Sequence, residues 1–245
     1  MRHTFAFRIK EDKKAGFRQA LGRACPAIVS ELKKLYAYNY SLWEAGNLCV
    51  GYYETPSEGE ETDETAVREA EARCSALGTA EEKNACSRIE RGNAEKTEPL
   101  MEALACFSDM VDWIAEPDQG MQLMYHDIGF VRREKTMIRH RVFMTKLKDN
   151  LQTEYRRRHD GLVKARGNHR DPGPDSNFTI WNAGQYIFGY DEIDTSMERP
   201  ETPEEHEKTI AWESEMLNIM DWITDDVDWL SGEKHPHVVR LMQWN

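Results

Sequence analysis

Tyr155 and His159 are the pair in this sequence best suited to moving protons. They stand four apart in a stretch that reads as helix, so both side chains fall on one face. An imidazole titrates near neutral pH, and a phenol donates or accepts through its hydroxyl. Side by side, the two can carry protons to and from a neutral hydroxylated substrate. Other candidates are thinner. His235 and His237 alternate at a strand entry, but no third acidic or thiolate ligand stands in register, so no metal is assigned. His206 follows two glutamates at a helix start and reads as solvated. Asp109 with Asp112 and Asp225 with Asp228 are carboxylate pairs at similar places in the two halves of the chain, which points to a structural role near a helix end. No phosphate-loop, dinucleotide, nucleophile-elbow or zinc-protease pattern occurs.

The elements that must position this pair occur twice. Asn39 to Glu54 reads NYSLWEAGNLCVGYYE, and Asn177 to Glu192 reads NFTIWNAGQYIFGYDE, an offset of 138. The same offset sets Phe5 on Phe143, Ile9 on Leu147 and Phe17 on Tyr155. Further along, Asp109 to Ile114 resembles Asp225 to Leu230, and Leu123-Met124 resembles Leu241-Met242. These later offsets of 116 and 118 imply an insertion of roughly twenty residues in the first copy. A unit this long is a whole small domain duplicated, not a solenoid repeat. The first repeat covers residues 1–131, with a helical insertion about 55–97, and the second covers 137–245. The charged stretch Val131 to Thr136 links them. At the positions of Tyr155 and His159 the first repeat carries Phe17 and Leu21, as a site refilled with core residues would.

The 245 residues suit two such domains, each large enough for its own core. An apolar share of 40% with 31% charged residues describes a soluble globular chain. The net charge of −12 argues against nucleic acid, which needs basic side chains at its phosphates. The run Arg156 to Arg158 spreads around a helix and reads as a solvated face, as does the acidic run Glu58 to Glu64. No apolar run is long enough for a membrane span, and the start shows no signal-peptide core. All five cysteines lie in the first repeat, their number is odd and no CxxC occurs, which fits reduced thiols in the cytoplasm.

Within each repeat the periodicity predicts strand, helix, strand, strand, helix, strand. In the first repeat a strand around Phe5, Phe7 and Ile9 precedes a helix over Lys13–Leu35, which Pro26 should kink or split. Strands Tyr38–Trp43 and Leu48–Tyr53 follow as a hairpin, then a helix over Pro99–Ile114 and a strand in Gly120–Phe130. In the second repeat the corresponding spans are Arg141–Leu147, Asp149–Ala165, Asn177–Trp181, Tyr186–Tyr190, Glu204–Leu230 and Val238–Trp244. The fold class is therefore α+β, two tandem ferredoxin-like βαββαβ domains. Each leaves one sheet face bare, so the two should pack sheet to sheet as an intramolecular pseudo-dimer.

The segment EYRRRH, followed by TIWNAGQYIFGYDE, resembles the L-rhamnose mutarotase family, and NYSLWEAGNLCVGYYE in the first repeat does so too. The resemblance covers nearly all of both repeats outside the insertion. It implies a dimeric α+β barrel that interconverts the α and β anomers of a monosaccharide, L-rhamnose or a related deoxy-sugar, with no cofactor and no metal. The family's helix tyrosine and histidine fall on Tyr155 and His159 as catalytic residues. Its paired tryptophans, counted back from Asn218-Ile219-Met220, fall on Trp212 and Glu213, so one is kept and one is lost. For a sugar site, Trp181, Tyr186, Tyr190 and Trp212 are available to stack and Asn177 and Arg157 to hydrogen-bond. The expected partner is a monosaccharide, with neither nucleic acid nor membrane, and further homo-oligomerisation is left open. Two other readings stand beside this one. They are a sugar-binding or regulatory pseudoenzyme, and a structural protein that uses the inserted helical hairpin to bind a partner.

Overall fold

The structure, a computed structural model, describes residues 1–56, 98–117, 119–132, 134–170, 172–224 and 238–244. The acidic run, both predicted insertion helices, Cys74, Cys86, Asp225, Asp228, His235 and His237 lie outside these residues. The first repeat gives β1 (Arg2–Ile9), α1 (Lys14–Lys34), β2 (Tyr38–Ala45), β3 (Leu48–Glu54), α2 (Glu98–Leu104), β4 (Val111–Ala115) and β5 (Gln122–Gly129). The second gives β6 (Ile138–Leu147), α3 (Gln152–Arg166), β7 (Asp175–Ala183), β8 (Tyr186–Asp194), α4 (Pro203–Met216), β9 (Met220–Thr224) and β10 (Val239–Trp244). The fold is α+β, with two five-stranded antiparallel sheets ordered β10-β2-β3-β1-β4 and β5-β7-β8-β6-β9. No helix among the described residues is long and apolar enough to cross a membrane.

The sheets pack face to face. Ala6, Trp43, Val50 and Tyr52 of one meet Val142, Met144, Phe188 and Tyr190 of the other in a shared buried layer. The rings of Tyr52 and Tyr190, equivalent in the repeat, stack with centroids 3.7 Å apart and planes 9° from parallel. The outer face of the first sheet is covered by α1 and α2 through Phe17, Ile28, Leu32, Leu100 and Leu104. The outer face of the second is covered by α3 and α4 through Tyr155, Trp212 and Met216. This is the expected pseudo-dimer of ferredoxin-like halves.

The hairpins explain the repeated phrase. Gly46 and Gly184 open two-residue turns with φ of 66° and 58°, a conformation that costs glycine little. Gly51 and Gly189 serve a different need. The rings of Phe5 and Phe143 lie directly on their backbones, and a Cβ at either position would collide with the ring. Gly189→Ala is therefore expected to destabilise the protein by about 1–3 kcal/mol through overpacking. Chemical denaturation would read this as a lowered midpoint, and an unchanged midpoint would mean the ring moves aside at no cost.

Three expectations need correction. The helix over Lys14–Lys34 runs through Pro26 as one element. Pro26 and Gly22 sit on the exposed side, where water can satisfy the carbonyl that loses its partner. The buried stripe of Phe17, Leu21, Ile28 and Leu32 holds both halves of the helix to the sheet. The second helix of each repeat is shorter than expected, and the residues after it form the edge strands β4 and β9. Their register resets the repeat: Ile9 pairs with Val111 and Leu147 with Met220, so Val111 matches Met220 and Trp113 matches Trp222. The offset there is 109, not 116. Finally, the last strand of each repeat joins the other repeat's sheet, with β5 pairing with β7 and β10 with β2. Arg240 faces Trp43 and Leu123 faces Trp181, which sets Tyr125 on Met242 at an offset of 117.

Candidate functional site

Helix α3 places Tyr155 and His159 one turn apart on its buried face, at 2% and 4% exposure. Its start is tied by Glu154, which accepts from Arg157 at 2.7 Å and Arg158 at 2.8 Å. Those two cations hold the Glu154 carboxyl at about 2. Helix α4 begins with a capping box between Thr202 and Glu205 and carries Trp212 two turns later. The edge strand β5 brings Tyr125 to the same place.

These elements enclose the imidazole of His159 in aromatic rings. Tyr155 stacks against it with centroids 4.3 Å apart, Trp212 meets it edge-on at 5.2 Å, and Tyr125 is tilted against it at 5.3 Å. Nδ1 lies 3.0 Å from the Tyr155 carbonyl and donates to it, which leaves the Nε2 lone pair as the external base. Burial lowers the His159 pKa below the usual 6.5, opposed by the Tyr155 carbonyl and by Asp160. Burial also pushes the Tyr155 phenol well up, and the Glu213 carboxylate adds to the effect.

The equivalent place in the first half is filled. Phe17 and Leu21 are 0% and 6% exposed in an apolar core with Phe7, Phe107 and Leu104. Offset 109 sets Ala103 opposite Trp212 and Leu104 opposite Glu213. The polar and aromatic set thus stands on one sheet only.

The other expected substrate residues are not brought to His159. Asn177, Trp181, Tyr186 and Tyr190 lie between the sheets, on the opposite side of β7 and β8 from α3. Alternation along β7 explains this: Ile180 and Phe178 turn towards the helices and Trp181 turns away. Phe178 packs against Tyr125 at 5.6 Å and so brings the hairpin to the edge of the site. Tyr186 accepts from Arg8 at the rim between the sheets. Arg157 points to solvent and is held by Glu154. Its neighbours Arg156 and Arg158 are half-buried and bond the carbonyls of Leu123 and Glu215, so the arginine run is more than a solvated face.

Asn177 and Tyr190 belong instead to a buried polar seam. Asn39 donates to Glu54 at 2.7 Å and to Glu192 at 2.6 Å, and Asn177 donates to Glu54 at 2.6 Å. Tyr190 donates to Glu192 at 3.0 Å, and Lys135, in the link between the repeats, pairs with Glu192 at 2.6 Å. Each asparagine binds both repeats' glutamates, so the motif residues hold the halves together. The cavity beside them, lined by Trp43, Tyr52, Trp181 and Tyr190 among others, is about 10 Å³. That is room for about one water and far too little for a sugar.

Tyr125 and Arg166 are the site residues that the sequence alone did not single out. Arg166 donates to the Tyr125 hydroxyl at 3.2 Å and to the His126 carbonyl at 3.2 Å, and it pairs with Asp127. Their counterparts, Met242 and Ile28, are buried in the first half's core. For Tyr125 the signal was present in the repeat but hidden by its changing offset.

A crystal structure from Fusobacterium nucleatum subsp. nucleatum ATCC 25586, provisionally described as a monooxygenase, aligns with 98% of this chain and 95% of its own at 8% identity and a TM-score of 0.40. No curated protein matches the chain. The family model described as rhaM, L-rhamnose mutarotase, matches residues 140–242. The matched residues, which include Tyr155, His159 and Trp212, are thus similar to the L-rhamnose mutarotase family.

Proposed function

We propose that the chain is a cofactor-independent mutarotase that interconverts the α and β anomers of a monosaccharide, L-rhamnose or a related deoxy-sugar. The site is the Tyr155, His159 and Trp212 cluster of the second repeat (137–245). The first repeat (1–131) supplies the facing sheet and is inactive by itself. The observation that carries this reading is the imidazole in a family-matched domain with Nδ1 committed to a backbone carbonyl and Nε2 left as a base. Opening a hemiacetal requires removal of the anomeric hydroxyl's proton and delivery of one to the ring oxygen, which calls for no metal or redox group. Acid–base assistance of this kind contributes about 10²–10⁴-fold. Trp212 offers an apolar plane for the sugar ring, and Tyr155 orients the imidazole through its ring and its carbonyl.

Exchange NMR across a panel of aldoses tests the proposal directly, because it reads anomer interconversion at equilibrium. Acceleration of L-rhamnose or a deoxy-sugar above the buffer rate supports it, and buffer-rate exchange for every sugar removes it. The pH profile gives a second check. Burial lowers the His159 pKa, so the neutral base persists below pH 6.5 and the rate should fall only as pH drops through that depressed value. An acid limb centred above 6.5 would assign the titration to another group.

A binding module is the second reading. It is favoured by the enclosure of His159 at 4% exposure and by Glu213 standing where the family resemblance expects a second tryptophan. Sugar binding by saturation-transfer NMR without faster exchange would select it.

A further inference from the structure

The His159 cluster is closed by a residue from the other repeat. Strand β5 precedes the link to the second repeat, lies outside the family-matched residues and hydrogen-bonds to β7. Helix α3 grips it at both ends. Arg156 donates to the Leu123 carbonyl at 2.6 Å, and Arg166, ten residues on, binds the Tyr125 hydroxyl, the His126 carbonyl and Asp127. Between these anchors the Tyr125 ring rests against His159.

The hydrogen-bond directions divide the labour. The Tyr125 oxygen accepts from Arg166, so its own O–H remains a donor. The neutral imidazole donates through Nδ1 to the Tyr155 carbonyl, so Nε2 remains an acceptor. The site therefore presents one donor and one acceptor on separate elements, with ring centroids 5.3 Å apart. Tyr155 is less suited to donate to a sugar, since it is 2% exposed and stacked flat on the imidazole. The repeat gives an independent observation. Tyr125, Arg166 and His159 correspond to Met242, Ile28 and Leu21, all buried in the first half's apolar core. The three polar positions are present together in one half and absent together in the other.

The geometry points to Tyr125 as the catalytic acid that works with His159, an inference that rests on the mutarotase reading. In the ring-opening step Nε2 takes the proton of the anomeric hydroxyl while the bond from C1 to the ring oxygen breaks. Its electron pair goes to the ring oxygen, which takes the Tyr125 proton, and C1 becomes an aldehyde carbon. The transient phenolate lies against the Arg166 guanidinium. After rotation about C1–C2 the ring oxygen attacks the other face of C1. Its proton returns to Tyr125, the imidazolium gives its proton to the new anomeric oxygen, and both side chains regain their starting states.

The test uses the full chain and L-rhamnose labelled with ¹³C at C1. Tyr125→Phe keeps the ring and removes the hydroxyl, so kcat should fall about 100-fold while KM and sugar binding by saturation transfer stay within about twofold. Arg166→Gln keeps a donor to the phenol but removes the charge behind the phenolate, and kcat should fall about tenfold. Parental exchange that survives Tyr125→Phe unchanged overturns the assignment alone. A parental chain that exchanges no faster than buffer removes the mutarotase reading and the assignment with it.

Discussion

Replacing His159 with alanine is expected to abolish most of the anomer exchange, a loss of about 10²–10⁴-fold in rate. The imidazole Nε2 is the base in the proposed site, and Nδ1 is already bound to the Tyr155 carbonyl. Alanine also opens a hole among Tyr125, Tyr155 and Trp212, so His159→Leu is the matched control. Leucine restores the residue that the first half uses at Leu21 and keeps the space filled. It should be as inactive as alanine yet closer to the parent in thermal stability. Exchange at the parental rate in either variant would sink the mechanism and move the binding module to first place.

The second large effect concerns stability. Asn177→Ala is expected to cost about 3–5 kcal/mol, because it leaves a buried carboxylate short of a donor. It also forces a residue with a Cβ, but no local side-chain hydrogen bond, into φ of 59°. Asn177 is 0% exposed and donates to Glu54 across the join between the halves. Asn177→Gly accepts the backbone angle and still loses the amide, so the difference between the two variants isolates backbone strain, at about 1–2 kcal/mol. Urea denaturation followed by fluorescence would measure both. Parental stability in Asn177→Ala would show that the seam contributes nothing to holding the halves together.

Much of the architecture was legible because the chain states it twice. The hairpin phrase is strict for reasons of backbone, with Gly46 and Gly184 in positive-φ turns and Gly51 and Gly189 under phenylalanine rings. The Tyr155 and His159 face was legible from helical spacing, and its filled-in apolar counterpart from Phe17 and Leu21. Three things were not. Asp225 to Leu230 resembles Asp109 to Ile114 more closely than Asn218 to Ile223 does, yet pairing in the sheets matches Trp113 with Trp222. Alternation says that a segment is a strand but not which sheet receives it, so the exchange of β5 and β10 was hidden. Asn177 and Trp181 looked like sugar ligands because residue type carries no face. The bulge between Ser176 and Thr179 and the pleat decide that they meet the other sheet.

Strand exchange also sets an order of events as the chain is made. Synthesis delivers β2 early, but its outer edge waits for residues 239–244 to complete the first sheet. Until those residues emerge the first half carries an open edge, the kind of surface that recruits stray strands from other molecules. Closing it joins segments about two hundred residues apart, a contact that pays its loop entropy late and slows folding. The second sheet waits less, since β5 is already present when β7 emerges and β9, which completes its other edge, precedes β10. The half that carries His159 can thus complete its sheet first and serve as the template on which its elder twin closes.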